Sequence, residues 1–149
     1  MGGVALDVED LTVAKQRLRE GGFTLCIVKD GRMLFETSAR GISGFLKAID
    51  ELDGRLEGAS AADKVVGKAV ALLCLHTGIK AVYAPVMSRE AKELFGRSRV
   101  LSEWGLLVEN ILDGCEPATC PFERLAEGIS DSAEAYKKLK ALQSSLGQR

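Results

Sequence analysis

The chain has 149 residues, 46% of them hydrophobic and 28% charged, with a formal net charge of -1 at pH 7. These values are typical of one globular domain and argue against a disordered or fibrous chain. The near-zero charge, the low aromatic content of 5% and the lack of a basic run argue against a nucleic-acid partner.

The sequence shows none of the patterns typical of a membrane or secreted protein. No segment approaches the roughly 20 consecutive apolar residues that a membrane-spanning helix needs. The first residues, MGGVAL, lack the basic region and apolar core of a signal peptide. The four cysteines, at positions 26, 74, 115 and 120, do not follow the spacing of a disulfide framework. We therefore expect a cytoplasmic protein with free thiols and no membrane partner.

The N-terminal part of the chain predicts a helix, a hairpin and a second helix. In DVEDLTVAKQRLREGG, apolar residues recur at helical spacing and glycine ends the pattern, which indicates a surface helix. Two β-prone runs flank Asp30-Gly31, a dipeptide typical of tight turns, so we predict strands at about 23–28 and 33–37. The apolar spacing of GISGFLKAIDEL predicts a helix that covers one face of this hairpin.

The middle of the chain, GASAADKVVGKAVALLC, predicts a long helix. Ser60 and Asp63 resemble a capping box, and Gly78 is well placed to end the helix. The expected helix spans about 61–77 and is apolar on most sides.

Strands and helices alternate through the rest of the chain. We expect a buried strand at IKAVYAPV, a helix capped by Ser88 at SREAKELFG, and strands at RVLSEW and about 106–112. Further helices are predicted at CPFERLAEGI and, as an appended C-terminal element, at about 131–145. Strands separated by helices indicate one α/β domain over residues 1–149, a sandwich with a mixed sheet.

The first candidate site lies at the start of the predicted helix 61–77. At about 100° per residue, its polar residues share one arc, and the free N–H groups of a helix N-terminus attract anions. Gly67 would let a ligand approach closely. A purely structural alternative stays open: Asp63 caps the helix, the lysines are solvated and Gly67 lets another element pack closely. The candidate residues for a small anionic or nucleotide-like ligand are Ser60, Asp63, Lys64, Gly67, Lys68 and Ser88.

The second candidate is Cys120, which we predict at the N-cap of the helix that Pro121 begins. The helix dipole and free amides would stabilise a thiolate there, so Cys120 is a candidate nucleophile, with Asp63 or a lysine as proton carrier. The alternative is a small residue buried in the turn. Cys115 and Cys120 have four residues between them and no histidine nearby, which is a weak pattern for zinc.

Several of these strings together resemble a known family. GASAADKVVGKAVALL, the later CPFE and the hairpin GGFTLCIVKDGRMLF are similar to the prokaryotic domain-of-unknown-function family eighteen ninety-three. The resemblance implies a cytidine deaminase-like fold: a three-layer α/β sandwich with a mixed five-stranded sheet and an added N-terminal helix. It is also compatible with a homo-oligomer, because deaminase-like folds often self-associate.

The zinc motifs of active deaminases are missing from this sequence. The position of H-x-E or C-x-E reads ADKVVGKA, and the position of P-C-x-x-C reads PVMSREAKEL. His76, the single histidine, would lie about 20 Å from Asp63 along the predicted helix. No phosphate-binding glycine motif occurs either. We therefore expect no metal and no cofactor, and zinc-dependent deamination is disfavoured.

Two functions remain open at this point. The slightly favoured one is a non-catalytic module that binds or responds to a small anionic or nucleotide-like molecule through Lys64, Lys68 and the helix N-terminus. The other is a metal-independent enzyme that uses Cys120 as the nucleophile with Asp63.

Overall fold

The computed structural model describes residues 3–111 and 120–147. These residues form a mixed α/β fold with six helices, six strands and one short 3-10 helix at Asp53–Leu56. The helices are α1 (Gly3–Gly21), α2 (Ser43–Leu52), α3 (Lys68–Thr77), α4 (Arg89–Arg97), α5 (Pro121–Ala126) and α6 (Ser132–Gly147). The strands are β1 (Leu25–Lys29), β2 (Arg32–Thr37), β3 (Ser60–Asp63), β4 (Val65–Val66), β5 (Ala81–Ser88) and β6 (Leu101–Val108).

The predicted hairpin is confirmed as β1 and β2, which pair antiparallel. Asp30 and Gly31 have φ angles of 52° and 77°, the positive values that a tight hairpin turn needs. Asp10, on α1, accepts hydrogen bonds from the N–H groups of both residues at 2.9 Å. The turn and the first helix are therefore fixed to each other.

The predicted helix 61–77 is wrong over its first seven residues. Ser60–Asp63 is strand β3, and α3 begins only at Lys68, with Gly67 as its N-cap. β3 pairs antiparallel with β1 and parallel with β5, so both of its edges have backbone partners. These long-range hydrogen bonds outweigh the helical pattern of a short, alanine-rich segment. Ser60 and Asp63 therefore do not form a capping box.

β3 and β4 are separate strands that share one neighbour, β5. β3 pairs with the first part of β5 and β4 with its end, on the same side of β5. Between them the Val86 N–H donates to the Lys64 carbonyl at 3.3 Å. Hence β3 and β4 together occupy one position between β1 and β5. The predicted mixed sheet is confirmed, with six strands where five were expected.

At the C-terminal side of the sheet, two predicted strands, RVLSEW and 106–112, merge into one strand, β6, which pairs parallel with β5. Helix α4 is capped as predicted, because the Ser88 hydroxyl accepts from the Ala91 N–H at 3.1 Å. Helix α6 begins after Asp131, whose carboxylate accepts from the Glu134 N–H at 2.8 Å.

Helices cover both faces of the sheet. Helix α1 packs on one face, where Ala14 and Leu18 contact a small cluster of buried side chains from β1 and β3. The other face carries the main core, which α2, α3 and α4 close and to which α5 and α6 add buried residues. Leu139 of α6 is fully buried. This arrangement leaves the two ends of the strands, and the outer side of β6, as the places where function can be sought.

Candidate functional site

The N-terminus of α3 is bound by a carboxylate of the protein itself. Glu123, on α5, accepts from the Lys68 N–H at 2.9 Å and from the Ala69 N–H at 2.8 Å. Gly67 leaves the room for this contact, because a Cβ at that position would overlap the Glu123 carboxylate. In this structure the helix N-terminus holds an anion, and that anion is Glu123.

The surroundings of Glu123 are partly apolar and partly acidic. Burial raises the pKa of Glu123, the two N–H groups of α3 lower it, and the charge of Glu90 raises it. The Lys68 ammonium donates to the Glu127 carbonyl at 3.1 Å. Lys68 therefore helps to hold the end of α5, so the contact between α3 and α5 is made at two points.

A small depression lies beside Glu123, where β5 and β6 end and α4 begins. Its volume is about 10 Å³, which is room for about one water molecule. Glutamates supply most of its polar groups, so the depression is acidic. It is lined by Ser88, Glu90, Glu109, Asn110, Ile111, Glu123 and Glu127. In α/β proteins ligands commonly bind at this end of the strands, but here both the volume and the charge oppose a nucleotide-sized anion.

The structure brings together only some of the residues predicted for an anion site. Gly67 and Lys68 follow β4, and Ser88 is the last residue of the neighbouring strand β5. Ser60 lies at the opposite end of the sheet, about 23 Å from Ser88 if measured along seven residues of β5. Lys64 is exposed between β3 and β4. Glu123 was not anticipated, because the contact that makes it important joins residues 55 positions apart.

Asp63 is a buried acid at the end of β3, with 9% of its surface exposed. The Val65 N–H donates to its carboxylate at 3.4 Å. Burial raises the pKa of Asp63 from 3.8 to about 7, although hydrogen bonds from the Val65 and Lys64 N–H groups act in the opposite direction. This side chain therefore titrates near neutral pH.

The cysteines differ in their access to solvent. Cys120 is half-buried at the N-cap of α5, and its side chain makes no capping hydrogen bond. Its N–H donates to the Ile111 carbonyl at 3.2 Å. Cys26 and Cys74 are buried free thiols, and burial raises the pKa of Cys26 to about 11. Cys115 lies outside the described residues, as does most of the segment that joins β6 to α5.

A much larger groove, not anticipated from the sequence, lies at the other end of the strands. Its volume is about 440 Å³, and it is lined by Lys29, Asp30, Arg32, Leu34 and Arg55. The hairpin supplies the first four residues and the 3-10 helix supplies Arg55. The lining residues include three with cationic side chains and one with a carboxylate. The groove is therefore electropositive, in contrast to the depression beside Glu123.

One hydrogen bond connects the two parts of this groove, the hairpin and the 3-10 helix. The Lys29 ammonium donates to the Arg55 carbonyl at 3.5 Å, which links β1 to the 3-10 helix. Lys29 and Arg32 are direct cross-strand partners in the hairpin. Like charges placed opposite each other in this way are destabilising unless an anion compensates them.

Comparison with known proteins places the chain in a family. Residues 13–142 match a family model described as a domain of unknown function, DUF1893. The chain belongs to the DUF1893 family. A DUF1893 protein from Thermotoga maritima, solved by crystallography at 2.70 Å resolution, has a similar structure, with a TM-score of 0.81 and 25% sequence identity. The match covers 89% of each chain. No protein with curated annotation matches this sequence.

Two further properties of the DUF1893 chain concern membranes and metals. No helix in the described ranges is long and apolar enough to cross a membrane. Within the same residues, no group of three or more histidine, cysteine, aspartate or glutamate side chains is arranged to hold a metal ion.

A signal for the groove exists in the sequence but is incomplete. The turn KDGR places Lys29 and Arg32 on either side of Asp30-Gly31, so the hairpin prediction alone implies that the two cations are neighbours. Arg55 lies 23 positions beyond Arg32, and only the path of α2 and the 3-10 helix brings it to the hairpin.

Proposed function

We propose that this DUF1893 protein is a binding module for a small molecule that carries a phosphate or carboxylate group. The observation that carries the proposal is the electropositive groove between the hairpin and the 3-10 helix. Its volume of about 440 Å³ falls in the range of roughly 300–1,000 Å³ that is usual for ligand sites. The depression beside Glu123 is too small for such a ligand.

The side chains of the groove suit an anionic group. The guanidinium groups of Arg32 and Arg55 can each donate two parallel hydrogen bonds to a phosphate or carboxylate, and Lys29 adds a third positive charge. An anion bound here would also relieve the repulsion between Lys29 and Arg32. Leu34 supplies an apolar surface for the rest of the ligand.

This proposal retains the predicted class of ligand and changes the site. The N-terminus of α3 already holds Glu123, and an incoming anion would have to displace it beside Glu90 and Glu127. Because β3 and β4 share one position, the sheet has five strand positions of mixed direction, which supports the five-stranded mixed sheet of a deaminase-like fold. We infer a deaminase-like fold in which the usual crevice is closed and ligand binding has moved to the other end of the strands.

Binding of simple anions tests the proposal directly. The wild-type chain should be stabilised against thermal unfolding by inorganic phosphate and by a nucleoside monophosphate such as AMP. A ligand at 100 times its dissociation constant adds about 2.7 kcal/mol to the free energy of unfolding. The Arg32→Ala, Arg55→Ala double variant should lose this stabilisation, because it removes both guanidinium groups.

The matched control removes the same charge elsewhere. Arg19 and Arg40 are exposed and do not line the groove, so the Arg19→Ala, Arg40→Ala variant should keep the wild-type response. Equal thermal shifts in the two double variants would mean that anions act through general charge rather than through the groove. Absence of any shift in the wild-type chain would reject these probes as ligands and, with them, the proposed site.

A cysteine-dependent enzyme is the second candidate, and Asp63 is the observation in its favour. A carboxyl group whose pKa is raised to about 7 has the property that a general acid or base needs. Cys120 would be the nucleophile, since the other two cysteines within the described residues, Cys26 and Cys74, are buried.

The reactivity of Cys120 decides this alternative. We would measure its alkylation against pH in a chain whose other three cysteines are replaced by alanine, with and without Lys64→Ala and Lys68→Ala. A thiol pKa well below about 8.5 that rises when the lysines are removed would support the enzyme. An ordinary or unreactive thiol would reject it and leave the binding module.

A further inference from the structure

Strand β6 forms an edge of the sheet that the described residues leave open. It pairs with β5 on one side, and no other strand of the described ranges pairs with it. Eight residues, LSEWGLLV, run along this edge. An edge strand of that length offers a row of backbone N–H and C=O groups to another strand, and soluble proteins usually block such an edge with lysine, proline or a covering element.

Two exposed leucines make this edge unusual. Leu101 and Leu106 are 44% and 59% exposed, and they are among four large exposed apolar residues in the described chain. Trp104 and Leu107 pack against the main core, whereas Leu101 and Leu106, five residues apart in a strand of regular register, lie on opposite faces of the sheet. The single charge within β6, Glu103, is paired with Lys15 of α1. The strand therefore has little that would repel a second strand.

The charges at the two ends of β6 indicate the direction of pairing. Arg97 and Arg99 are exposed just before the strand. Glu109 follows it, paired with Arg89, with 73% of its side chain exposed. An antiparallel partner with the same sequence would place its acidic end beside the basic end of this strand, whereas a parallel copy would place like charges together.

We propose that two copies of this chain dimerise by antiparallel pairing of their β6 strands about a two-fold axis. The pairing satisfies the open backbone groups of both edges and continues the sheet across the dimer. With Arg99 opposite the partner's Glu109, Leu101 of each copy lies opposite Leu107 of the other on one face, and Leu106 lies beside the partner's Trp104 on the other face. The inference does not depend on the proposed ligand site, which lies on the hairpin.

The test is the mass of the full chain in solution, measured by analytical ultracentrifugation over a series of concentrations. We expect a monomer–dimer equilibrium in the wild-type chain. Leu106→Lys should raise the dimer dissociation constant at least about tenfold, because a lysine on an edge strand opposes its pairing with a second strand. Glu109→Arg should also weaken the dimer, and adding Arg99→Glu should recover part of the loss.

The matched control is Val13→Lys, which makes the same kind of change at an apolar residue of α1 that is 39% exposed. It should leave the dissociation constant unchanged. Circular dichroism and the melting temperature establish that both variants are folded, as expected for exposed positions. A monomer at all concentrations, or equal effects of Leu106→Lys and Val13→Lys, would overturn the proposal. A monomer that instead pairs with an added extended peptide would also overturn it and assign the edge to a foreign strand.

Discussion

At the scale of single residues, Asp63 is a carboxyl group in an environment that disfavours its charged form. It is 9% exposed, and burial raises its pKa from 3.8 to about 7. At neutral pH this carboxyl group is therefore partly protonated in the folded chain, whereas it would be fully ionised in the unfolded chain. Because ionising the buried carboxyl group costs free energy in the folded state, the free energy of unfolding depends on pH.

Stability should fall as the pH rises through the range between the two pKa values of Asp63. Between about pH 4 and 7 the folded state binds more protons than the unfolded state, so the free energy of unfolding decreases with pH. The contribution of Asp63 to this decrease is about 4 kcal/mol. The variant Asp63→Asn should lose this contribution, because an amide has no charge to bury and can still accept from the Val65 N–H. Chemical denaturation at pH 4, 6 and 8 measures it.

The control for this experiment is Glu93→Gln, a carboxyl-to-amide change at an exposed position of α4. It should keep the wild-type dependence on pH. A chain with Asp63→Asn that also kept this dependence would show that another group, such as the partly buried Glu123, is responsible.

At the scale of elements, one of the two contacts that join α3 to α5 depends on a glycine and a glutamate. Glu123 occupies the first N–H groups of α3 only because Gly67 has no side chain. Glu123 can cap α3 only if position 67 has no side chain, and a side chain at position 67 is costly only if Glu123 is present. Such a pair is suited to a double-mutant cycle.

The two substitutions should be strongly non-additive. Glu123→Ala removes the cap of α3 and should cost about 1–2 kcal/mol of the free energy of unfolding. Gly67→Ala should cost at least as much, because the new Cβ displaces the carboxylate from its N–H partners. In the double variant the added methyl group meets no carboxylate, so its further cost should be only a few tenths of a kcal/mol. Urea denaturation of the four chains gives the coupling energy, and simple additivity would contradict the contact.

At the scale of the whole molecule, the two ends of the sheet carry opposite charge. The end with Ser88 is acidic and closed by Glu123, while the hairpin end is basic and open. The eight residues of β5 separate these ends by about 23 Å. At such a distance, with no shared partner, the two ends should behave independently.

Independence can be measured with one variant from each end. The effects of Glu123→Ala and Arg55→Ala on the free energy of unfolding should add within about 0.5 kcal/mol. Glu123→Ala should also leave the affinity for phosphate unchanged, because it does not line the groove. If Glu123→Ala altered that affinity several-fold, the closed end would have to be coupled to the ligand site.

The sequence by itself determined the local features of the fold. The Asp30-Gly31 turn, the Ser88 cap of α4 and the start of α6 at Asp131 each depend on hydrogen bonds between residues at most three positions apart or on the φ angles of the turn. The family resemblance was also available from the sequence, and it is confirmed over residues 13–142.

Tertiary structure determined the features that depend on contacts between residues far apart in the sequence. SAAD becomes strand β3 because β1 and β5 lie on either side of it, although its own pattern favoured a helix. The N-terminus of α3 is filled by Glu123, 55 positions along the chain from Lys68, and the basic groove exists because Arg55 meets the hairpin. Pairing energies of this kind depend on which segments become neighbours, and a single sequence does not contain that information in any local pattern.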